Sequence, residues 1–252
     1  MTKLSYEHIP TALGMAPGYL NRVTGPRGGL RYYTAPGSDF QMQSVTTILG
    51  QTVRKPNLER WREKQIRDGV NPNTTAKDAM ALGTRLHDVI DQLLSGADPD
   101  IDEDLKPAIE AYHGWRQMEG LDYVESEVSV WQEVVSEYLS VAGTVDALFR
   151  VPSGAEDGGL VVVDWKTSTS GVYPESCLQL AAYACCLHAM GCNTDISGRI
   201  ISFDKDPDTK EFTGHCRIAH LPSEALKGWA MAWDGTAALW AALKTEIVWE
   251  TI

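Results

Sequence analysis

Residues 160–168 read LVVVDWKTS, and four apolar residues in this stretch run directly into Asp164 and Lys166. Two glycines precede the run and polar residues follow it, which is typical of a strand buried on both faces of a sheet. Side chains alternate along a strand, so Asp164 and Lys166 share one face. An unpaired charge beside a core is costly, so these two charges need each other, a metal or a charged ligand. The stretch alone leaves a simple ion pair and a functional site equally open.

The composition is that of a globular chain. Its 252 residues, 43% hydrophobic and 22% charged, are enough for one substantial domain or for a domain with an appendage. No apolar run approaches the roughly 18 residues that span a bilayer, and the N-terminal MTKLSYEHIP lacks the apolar core of a signal peptide. We therefore expect no membrane association and a cytoplasmic location. The five cysteines lack paired CxxC spacing, which favours reduced thiols.

Charge is divided unevenly along the chain. The formal net charge is -12, which by itself disfavours binding to a polyanion. Residues 1–85 contain 12 Lys and Arg against 6 Asp and Glu, a balance of +6, whereas residues 86–252 contain 10 against 28, a balance of -18. An acidic body with a basic N-terminal third can offer a nucleic-acid track on one side.

The chain divides into two segments. Residues 1–75 combine a stretch rich in Gly, Pro and Tyr, which favours a short hairpin and loops, with the basic helical segment PNLERWREKQIRDG. We interpret this segment as a DNA-binding appendage to a core formed by residues 76–252. The core reads as two helices, three strands, a helix, two strands and a last helix, which predicts an α/β fold around a mixed sheet. The predicted helices cover about residues 76–94, 101–119, 174–190 and 223–245.

Two of the strands form a predicted hairpin. SVAGTVDALFR and GLVVVDWKT flank the turn PSGAEDGG, and a turn centred near residue 155 places Asp146 opposite Asp164 or Trp165. Neighbouring strands lie about 4.8 Å apart, so two carboxylates and Lys166 would gather at one edge of the sheet. Adjacent carboxylates repel unless a cation lies between them. Hard oxygen ligands favour Mg²⁺, and an added imidazole suits Mn²⁺ as well.

Five short motifs, each carrying a potential metal ligand, a lysine or a polar helix residue, follow one another along the chain. They are GTRLH with His87, SEV with Glu127, GTVD with Asp146, DWK with Asp164 to Lys166, and QLAAY with Gln179 to Tyr183. Their order and spacing resemble the PD-(D/E)XK nuclease superfamily in its RecB-like branch. SVTTILGQT followed by LERW further resembles the mitochondrial genome maintenance exonucleases and their phage and bacterial relatives. The resemblance covers about residues 44–240.

The resemblance implies a fold and a metal centre. The fold would be a restriction-endonuclease-like α/β core, a central mixed β-sheet flanked by helices, with helical N-terminal additions. His87, Asp146 and Asp164, together with the backbone carbonyl of Trp165, would bind Mg²⁺ or Mn²⁺. Some relatives hold an iron–sulfur cluster through four cysteines, one of them N-terminal to the core. The first cysteine here is Cys177, so no iron–sulfur cluster is expected.

The resemblance also implies a catalytic set, in which Lys166 and Glu127 join Asp146 and Asp164. Lys166 would orient the attacking water and stabilise the charge of the transition state. Glu127 would lie close to the metal ligands or on the substrate side. Held on a strand, Asp164 and Lys166 would keep a fixed spacing that a loop could not maintain as accurately.

Nucleic-acid contacts are expected mainly from the N-terminal third. Six Lys and Arg lie in residues 54–67 and would contact phosphates, while Tyr32 and Tyr33 offer stacking surfaces. Gln179 and Tyr183 resemble a QxxxY pair that contacts the nucleic-acid strand, and the alternative is a surface Gln beside a packed Tyr. The expected contact residues are Gln179, Tyr183, Ser44, Thr46, Arg54, Lys55, Arg60, Trp61, Lys64 and Arg85.

The function that we expect is metal-dependent hydrolysis of phosphodiester bonds by an exonuclease. Its substrate would be single-stranded DNA ends in replication, recombination or repair, in a bacterial or phage-infected cell. A structure-selective endonuclease with the same core is one alternative, and a non-catalytic DNA-binding scaffold subunit is another. The acidic face is a candidate surface for a replication or recombination protein.

Overall fold

A computed structural model describes residues 20–24, 31–34, 40–136, 139–152, 159–167 and 172–244 of the chain. The strands in this part are β1 (Asn21–Thr24), β2 (Arg31–Thr34), β3 (Gln41–Ser44), β4 (Asp122–Ser136), β5 (Leu139–Arg150), β6 (Leu160–Lys166), β7 (Ile196–Lys205) and β8 (Phe212–Leu221). The helices are α1 (Val45–Thr52), α2 (Pro56–Arg67), α3 (Pro72–Leu94), α4 (Lys106–Glu119), α5 (Pro174–Ala189) and α6 (Ser223–Ala242).

The strands form one mixed sheet with β5 near its centre. The order is β1-β2-β3-β5-β6-β7-β8, and β4 pairs with the other edge of β5. The first part of β5 pairs in parallel with β3, up to Ser44↔Ala142, and its last part pairs in antiparallel with β6, from Ala147↔Val163 onward. Residues 143–146 therefore have no strand partner on this edge, and we call this interruption the β5 gap. Asp146 lies in the β5 gap.

Strand β6 is buried on both faces, as its apolar run predicted. Leu160 and Val162 pack in one layer with α1, α5 and α6. Val161, Val163 and Trp165 pack in the other layer with α3 and α4. The sheet thus separates two cores, and the charged end of β6 emerges where both cores end.

The predicted mixed α/β fold with helices on both faces of the sheet is confirmed. Helix α3 starts earlier than expected, at Pro72, because Asn71 caps it by accepting a hydrogen bond from the Asn73 N–H at 3.0 Å. Helix α4 starts later, at Lys106. The hairpin turn at residues 153–158 and the last residues of the predicted C-terminal helix lie outside the described part. No described helix is long and apolar enough to cross a membrane.

The N-terminal segment contributes directly to the sheet. Strands β1 to β3 form an antiparallel meander, and β3 joins β5 in parallel. Helix α1, which follows β3, buries Val45, Ile48 and Leu49 in the same core as α5 and α6. The division between residues 1–75 and 76–252 stays a prediction, and residues on both sides of it share one sheet and one core.

Candidate functional site

A cavity of about 590 Å³ lies at the β5 gap. Its walls come from the hairpin of β1 and β2, from α1, α3 and α5, and from β4, β5 and β6. This one cavity is lined by all the acids, the histidine and the lysine of the five motifs. The fold therefore brings together residues that are up to 79 positions apart, from His87 to Lys166.

Asp146 sits where the hairpin register predicted. The pair Ala147↔Val163, continued by one position, places Asp146 opposite Asp164. Asp146 Oδ2 accepts a hydrogen bond from the backbone N–H of Trp165 at 2.8 Å. This side-chain bond ties the two strands together at the β5 gap and fixes the carboxylate at the end of β6.

Helix α3 supplies His87. Leu86 and Ile90 are fully buried and anchor this turn of the helix against the sheet. Gly83, one turn earlier, allows a close approach to the end of β6, since a Cβ there would lie 3.3 Å from Thr167 Oγ1. The imidazole then lies with Nε2 3.1 Å from the carbonyl oxygen of Trp165 and Nδ1 3.6 Å from Asp146 Oδ1.

Glu127 occupies an unusual backbone conformation in β4. It falls between the pairs Ser126↔Ala147 and Val128↔Val145, which makes Asp146 its cross-strand neighbour. Its φ of 51° lies in the left-handed region, which is costly for a residue with a side chain and is maintained only where the surroundings enforce it. Ser126 next to it is held on both sides, by Asp91 of α3 and by the hydroxyl of Tyr123.

Burial and the adjacent Asp146 carboxylate raise the pKa of Glu127 to about 7. The carboxyl group therefore carries a proton at a pH where an exposed glutamate would be ionised. A cation placed between Glu127 and Asp146 would remove both causes of the shift, because it would offset the desolvation of the charge and screen the repulsion. The electrostatics of this pair are those of a cation site.

The donor atoms fit a divalent metal. One ligand atom from each of His87, Glu127 and Asp146 lies within 4.8 Å of the others, and the Trp165 carbonyl oxygen is beside the imidazole. His87 Nε2 lies 3.1 Å from Trp165 O, a hydrogen-bond distance that holds the imidazole beside the carboxylates. Carboxylate and carbonyl oxygens with one imidazole suit Mg²⁺ or Mn²⁺.

Asp164, although only 1% exposed, forms a closed network with polar side chains. Its Oδ1 accepts hydrogen bonds from Lys166 Nζ at 2.7 Å and from Gln179 Nε2 at 3.0 Å. Its Oδ2 lies 2.6 Å from Lys166 Nζ but has no contact of hydrogen-bond geometry. One buried oxygen of Asp164 thus keeps its capacity to accept a further bond or to bind a cation.

Burial and the neighbouring charges have opposite effects on the pKa values of Asp164 and Lys166. Burial raises the pKa of Asp164, and the Lys166 ammonium only partly reverses the rise. For Lys166, burial lowers the pKa, but the Asp164 and Asp146 carboxylates outweigh it and the net shift is upward. Lys166 is therefore a fixed positive charge, and its side chain remains 28% exposed at the cavity.

The polar face of α5 forms one side of the site. Gln179 Nε2 donates to Asp164 Oδ1 and lies 3.1 Å from the hydroxyl of Tyr183, one turn further along the helix. Tyr183 is buried, which raises the pKa of its hydroxyl well above the usual value. Its ring packs on Gly143 so closely that a Cβ at that position would lie 2.4 Å from Tyr183 Cε1.

A sequence model of the PD-(D/E)XK nuclease superfamily matches residues 59–244, a range that contains all five motifs in full. The chain belongs to this superfamily. Its members are nucleases that use divalent metal ions, and the group of His87, Glu127 and Asp146 at the β5 gap could hold such an ion.

Two solved structures are similar to this nuclease at low identity. One is the crystal structure of SSO0001, with 16% identity over 80% of this chain and 78% of that chain and a TM-score of 0.40. The other is LHK-Exo in complex with dAMP, with 15% identity over 64% of this chain and 80% of that chain and a TM-score of 0.32. No curated protein shows a significant match.

Some of the expected nucleic-acid contacts line the nuclease cavity. Gln179, Tyr183 and Thr46 do so. Ser44 is buried next to the cavity, with its Oγ 2.9 Å from Thr46 Oγ1. Tyr33 is only 2% exposed and takes part in a small core with Leu20, Met42 and Ala142, so it reaches the cavity as a packed residue and has no open face for stacking.

The expected contacts on α2 and Arg85 lie elsewhere. None of the described residues that line the cavity belongs to α2. Basic residues in and just before α2 have partners of their own, since Arg54 pairs with Glu59, Lys55 with Glu175 on α5, and Arg60 with Asn57. Arg85 forms ion pairs with Asp102 and Asp104. The nucleic-acid role of these residues, and of Trp61 and Lys64, stays a prediction.

Cavity residues that the motifs did not reveal come from two places. Arg22 on β1 and Arg31 on β2 line the cavity, and Thr144 lies on β5 two residues before Asp146. The excess of positive charge in residues 1–85 was the one sequence signal that included the two arginines. Their position depends on pairing between β3 and β5, residues that are about a hundred positions apart.

Proposed function

We propose that this nuclease is a divalent-metal-dependent deoxyribonuclease that acts as an exonuclease on single-stranded DNA ends. The observation that carries the proposal is the convergence of His87, Glu127 and Asp146 within 4.8 Å beside the Asp164–Lys166 ion pair. The five motifs in order support placement in the RecB-like branch, near the mitochondrial genome maintenance exonucleases.

The metal would be held by His87, Glu127 and Asp146, with the Trp165 carbonyl and the free capacity of Asp164 Oδ2 adjacent. A bound Mg²⁺ or Mn²⁺ supplies Lewis acidity toward the phosphate and makes a nearby water more acidic. Lys166 would then place its ammonium against the non-bridging oxygens of the scissile phosphate, where negative charge grows in the transition state. Gln179 and Tyr183 would hold the ammonium and the strand in position.

The shape of the cavity supports a single strand as the substrate. Its volume of about 590 Å³ is in the range of pockets that hold one small ligand, and residues of strands and helices both line it. A nucleotide can enter such a site from a free or unpaired strand, whereas a base inside a duplex must first leave the stack. We therefore expect turnover to begin at an accessible single-stranded end.

The test is digestion of three substrates by the wild type and by Lys166→Ala. The substrates are end-labelled linear single-stranded DNA, circular single-stranded DNA and linear duplex DNA, each with Mg²⁺, with Mn²⁺ and with a chelator. The proposal expects metal-dependent shortening of the linear single strand, loss of that activity in the variant, and an intact circle. Cleavage of the circle would replace the exonuclease with an endonuclease, and DNA binding without any cleavage would favour a scaffold role.

Two further expectations stay proposals. One is a cytoplasmic location in a bacterial or phage-infected cell. The other is a replication or recombination protein that binds the acidic part of the chain, for which the balance of -18 over residues 86–252 is the support.

A further inference from the structure

Two arginines face the cavity from the β1–β2 hairpin. The register pairs Arg22 with Tyr33 and Thr24 with Arg31. Since alternate residues of a strand share a face, Arg22, Arg31 and Tyr33 lie on the same side of the hairpin. All three line the cavity that contains His87 and Asp146, so the hairpin presents two guanidinium groups toward the metal-binding residues.

The charge of Arg22 acts on Glu127 and partly offsets the rise in the pKa of that carboxyl, but neither arginine lies within ion-pair distance of an acid among the described residues. Arg22 and Arg31 form no ion pair there, whereas Arg54, Arg85, Arg199 and Arg217 each do. The two are close enough to act on each other, because burial and then the neighbouring Arg22 lower the pKa of Arg31. Two guanidinium groups that act on each other at a cavity wall suit an anion placed between them, because the anion would offset their repulsion.

The hairpin is fastened to the site at two points. The Tyr33 hydroxyl lies 3.1 Å from Thr144 Oγ1, two residues before Asp146 on β5. The Thr47 hydroxyl of α1 donates to the carbonyl oxygen of Arg31 at 3.2 Å. The positions of the two arginines relative to the metal ligands are therefore fixed through packed strands, and the hairpin is a wall of the site.

We propose that Arg22 and Arg31 form an anion site for a second phosphate group of the nucleic-acid strand, next to the phosphate that is cleaved. This inference rests on the proposed function, and it names the part of the site that holds the strand in register. Arginine suits the role because its planar fork donates two parallel hydrogen bonds to phosphate oxygens. The phosphate belongs either to a strand terminus or to an internal phosphodiester, and both offer the same oxygen acceptors.

Binding without turnover separates this inference from the nuclease activity. The probes are fluorescent dT oligonucleotides with a 5′-phosphate, a 3′-phosphate or hydroxyls at both ends, together with an unlabelled circular dT strand as a competitor. Anisotropy is measured with Ca²⁺ in place of Mg²⁺ for the wild type, Arg22→Ala, Arg31→Ala, Arg31→Lys and the double alanine variant. Arg217→Ala is the matched control, because Arg217 lies on β8 and pairs with Asp204. Thermal unfolding of each variant shows whether the hairpin remains in place.

We expect each alanine substitution to weaken binding about tenfold, as the loss of charge-assisted hydrogen bonds requires, with partial recovery in Arg31→Lys. The slope of log affinity against log salt should fall by about one, which a merely structural effect would not produce. A loss confined to one phosphorylated end assigns the site to a terminal phosphate, and an equal loss on all probes assigns it to an internal phosphodiester.

Affinities and salt slopes of the arginine variants equal to those of Arg217→Ala would overturn the inference while leaving the nuclease proposal intact. Conversely, an arginine-dependent loss of binding in a protein that hydrolyses no substrate would uphold the anion site and remove the proposed function. The two results are therefore distinguishable in the same set of variants.

Discussion

The cavity at the β5 gap and helix α2 are both rich in charge, and they hold that charge in different ways. Asp164 is 1% exposed and bonded to Lys166 and Gln179. Helix α2, in contrast, has no buried residue; its Arg60 bonds to Asn57, and Arg54 just before it pairs with Glu59. A charge in water can be removed at little cost, but a buried charge remains only where partners stabilise it. A functional site is therefore expected where buried charged side chains lie close together. A dense run of exposed basic residues is a weaker sign of a site.

The largest expected effect concerns the Lys166 ammonium. Lys166→Ala should lower the rate of hydrolysis at saturating DNA by about 10²–10³-fold, because it removes a fixed charge beside the transition state. Lys64→Ala in α2 should act on KM and leave the saturated rate nearly intact. Single-turnover kinetics measure both, with Lys227→Ala as a surface control.

Loss of Lys166 also leaves Asp164 without its cation, so circular dichroism must show that the variant is folded. Lys166→Arg keeps the charge and should fold like the wild type. Equal rate losses at Lys166 and Lys64 would erase the distinction between the two regions.

The partly buried carboxyl of Glu127 should make the stability of the protein depend on pH. Its pKa of about 7 in the folded protein exceeds the ordinary value of 4.5, so the folded state keeps a proton that the unfolded state has released. The stability that this group contributes is complete below about pH 4.5 and is lost as the pH rises to about 7. Glu127→Gln cannot ionise and should therefore stabilise the metal-free protein by about 2–3 kcal/mol at pH 8 and very little at pH 4.5.

Urea unfolding in chelator at the two pH values measures this difference. Adding Mn²⁺ at pH 8 should stabilise the wild type more than the variant, because the cation binds the ionised carboxylate. A stability gain in Glu127→Gln that is the same at both pH values would show that the group is not held protonated by its surroundings.

Gly143 tests how tightly the site is packed. Gly143→Ala places a Cβ 2.4 Å from Tyr183 Cε1, so the ring must move and its contact with Gln179 is disturbed. We expect a loss of about 1–3 kcal/mol in the free energy of unfolding together with slower hydrolysis. Gly50→Ala is the matched control, since Gly50 is in helix α1 with no atom within 4 Å of an added Cβ. That change should stabilise by about 0.5–1 kcal/mol, and a similar gain at Gly143 would contradict the close packing.

The smallest effect is expected from the basic residues in and just before α2. The combined change of Arg54, Arg60 and Lys64 to Ala should raise KM only a few-fold and reduce its salt dependence, since exposed charges contribute weakly and are screened. KM measured at several salt concentrations gives the result. An affinity loss as large as that of the Arg22 and Arg31 variants would make α2 a main contact surface.

The fold and much of the site could be predicted from local patterns. The apolar run of β6 with its charged end and the turn before it place Asp146 opposite Asp164 or Trp165, and the observed register continues to the first of these. Helix α1 had no assigned structure, because VTTIL is rich in β-branched residues that favour strands. It is helical since its apolar face completes a core with α5 and α6.

The rest of the site depends on long-range geometry. Arg22 and Arg31 reach the cavity only because β3 joins β5 in parallel, which no local pattern encodes. The left-handed conformation of Glu127 is enforced by contacts of its neighbours with α3 and is equally invisible in the sequence. Arg85, which its charge suggests as a nucleic-acid contact, forms ion pairs with Asp102 and Asp104, and its nucleic-acid role stays a prediction.

The central claim is that His87, Glu127 and Asp146 form a divalent metal site. Calorimetric titration with Mn²⁺ tests this claim most directly. The proteins to compare are the wild type, Asp146→Asn and Asp195→Asn, an exposed acid outside the cavity. We predict that the wild type and Asp195→Asn bind Mn²⁺ equally well and that Asp146→Asn binds it at least about tenfold more weakly. Equal Mn²⁺ affinity in all three proteins would contradict the account.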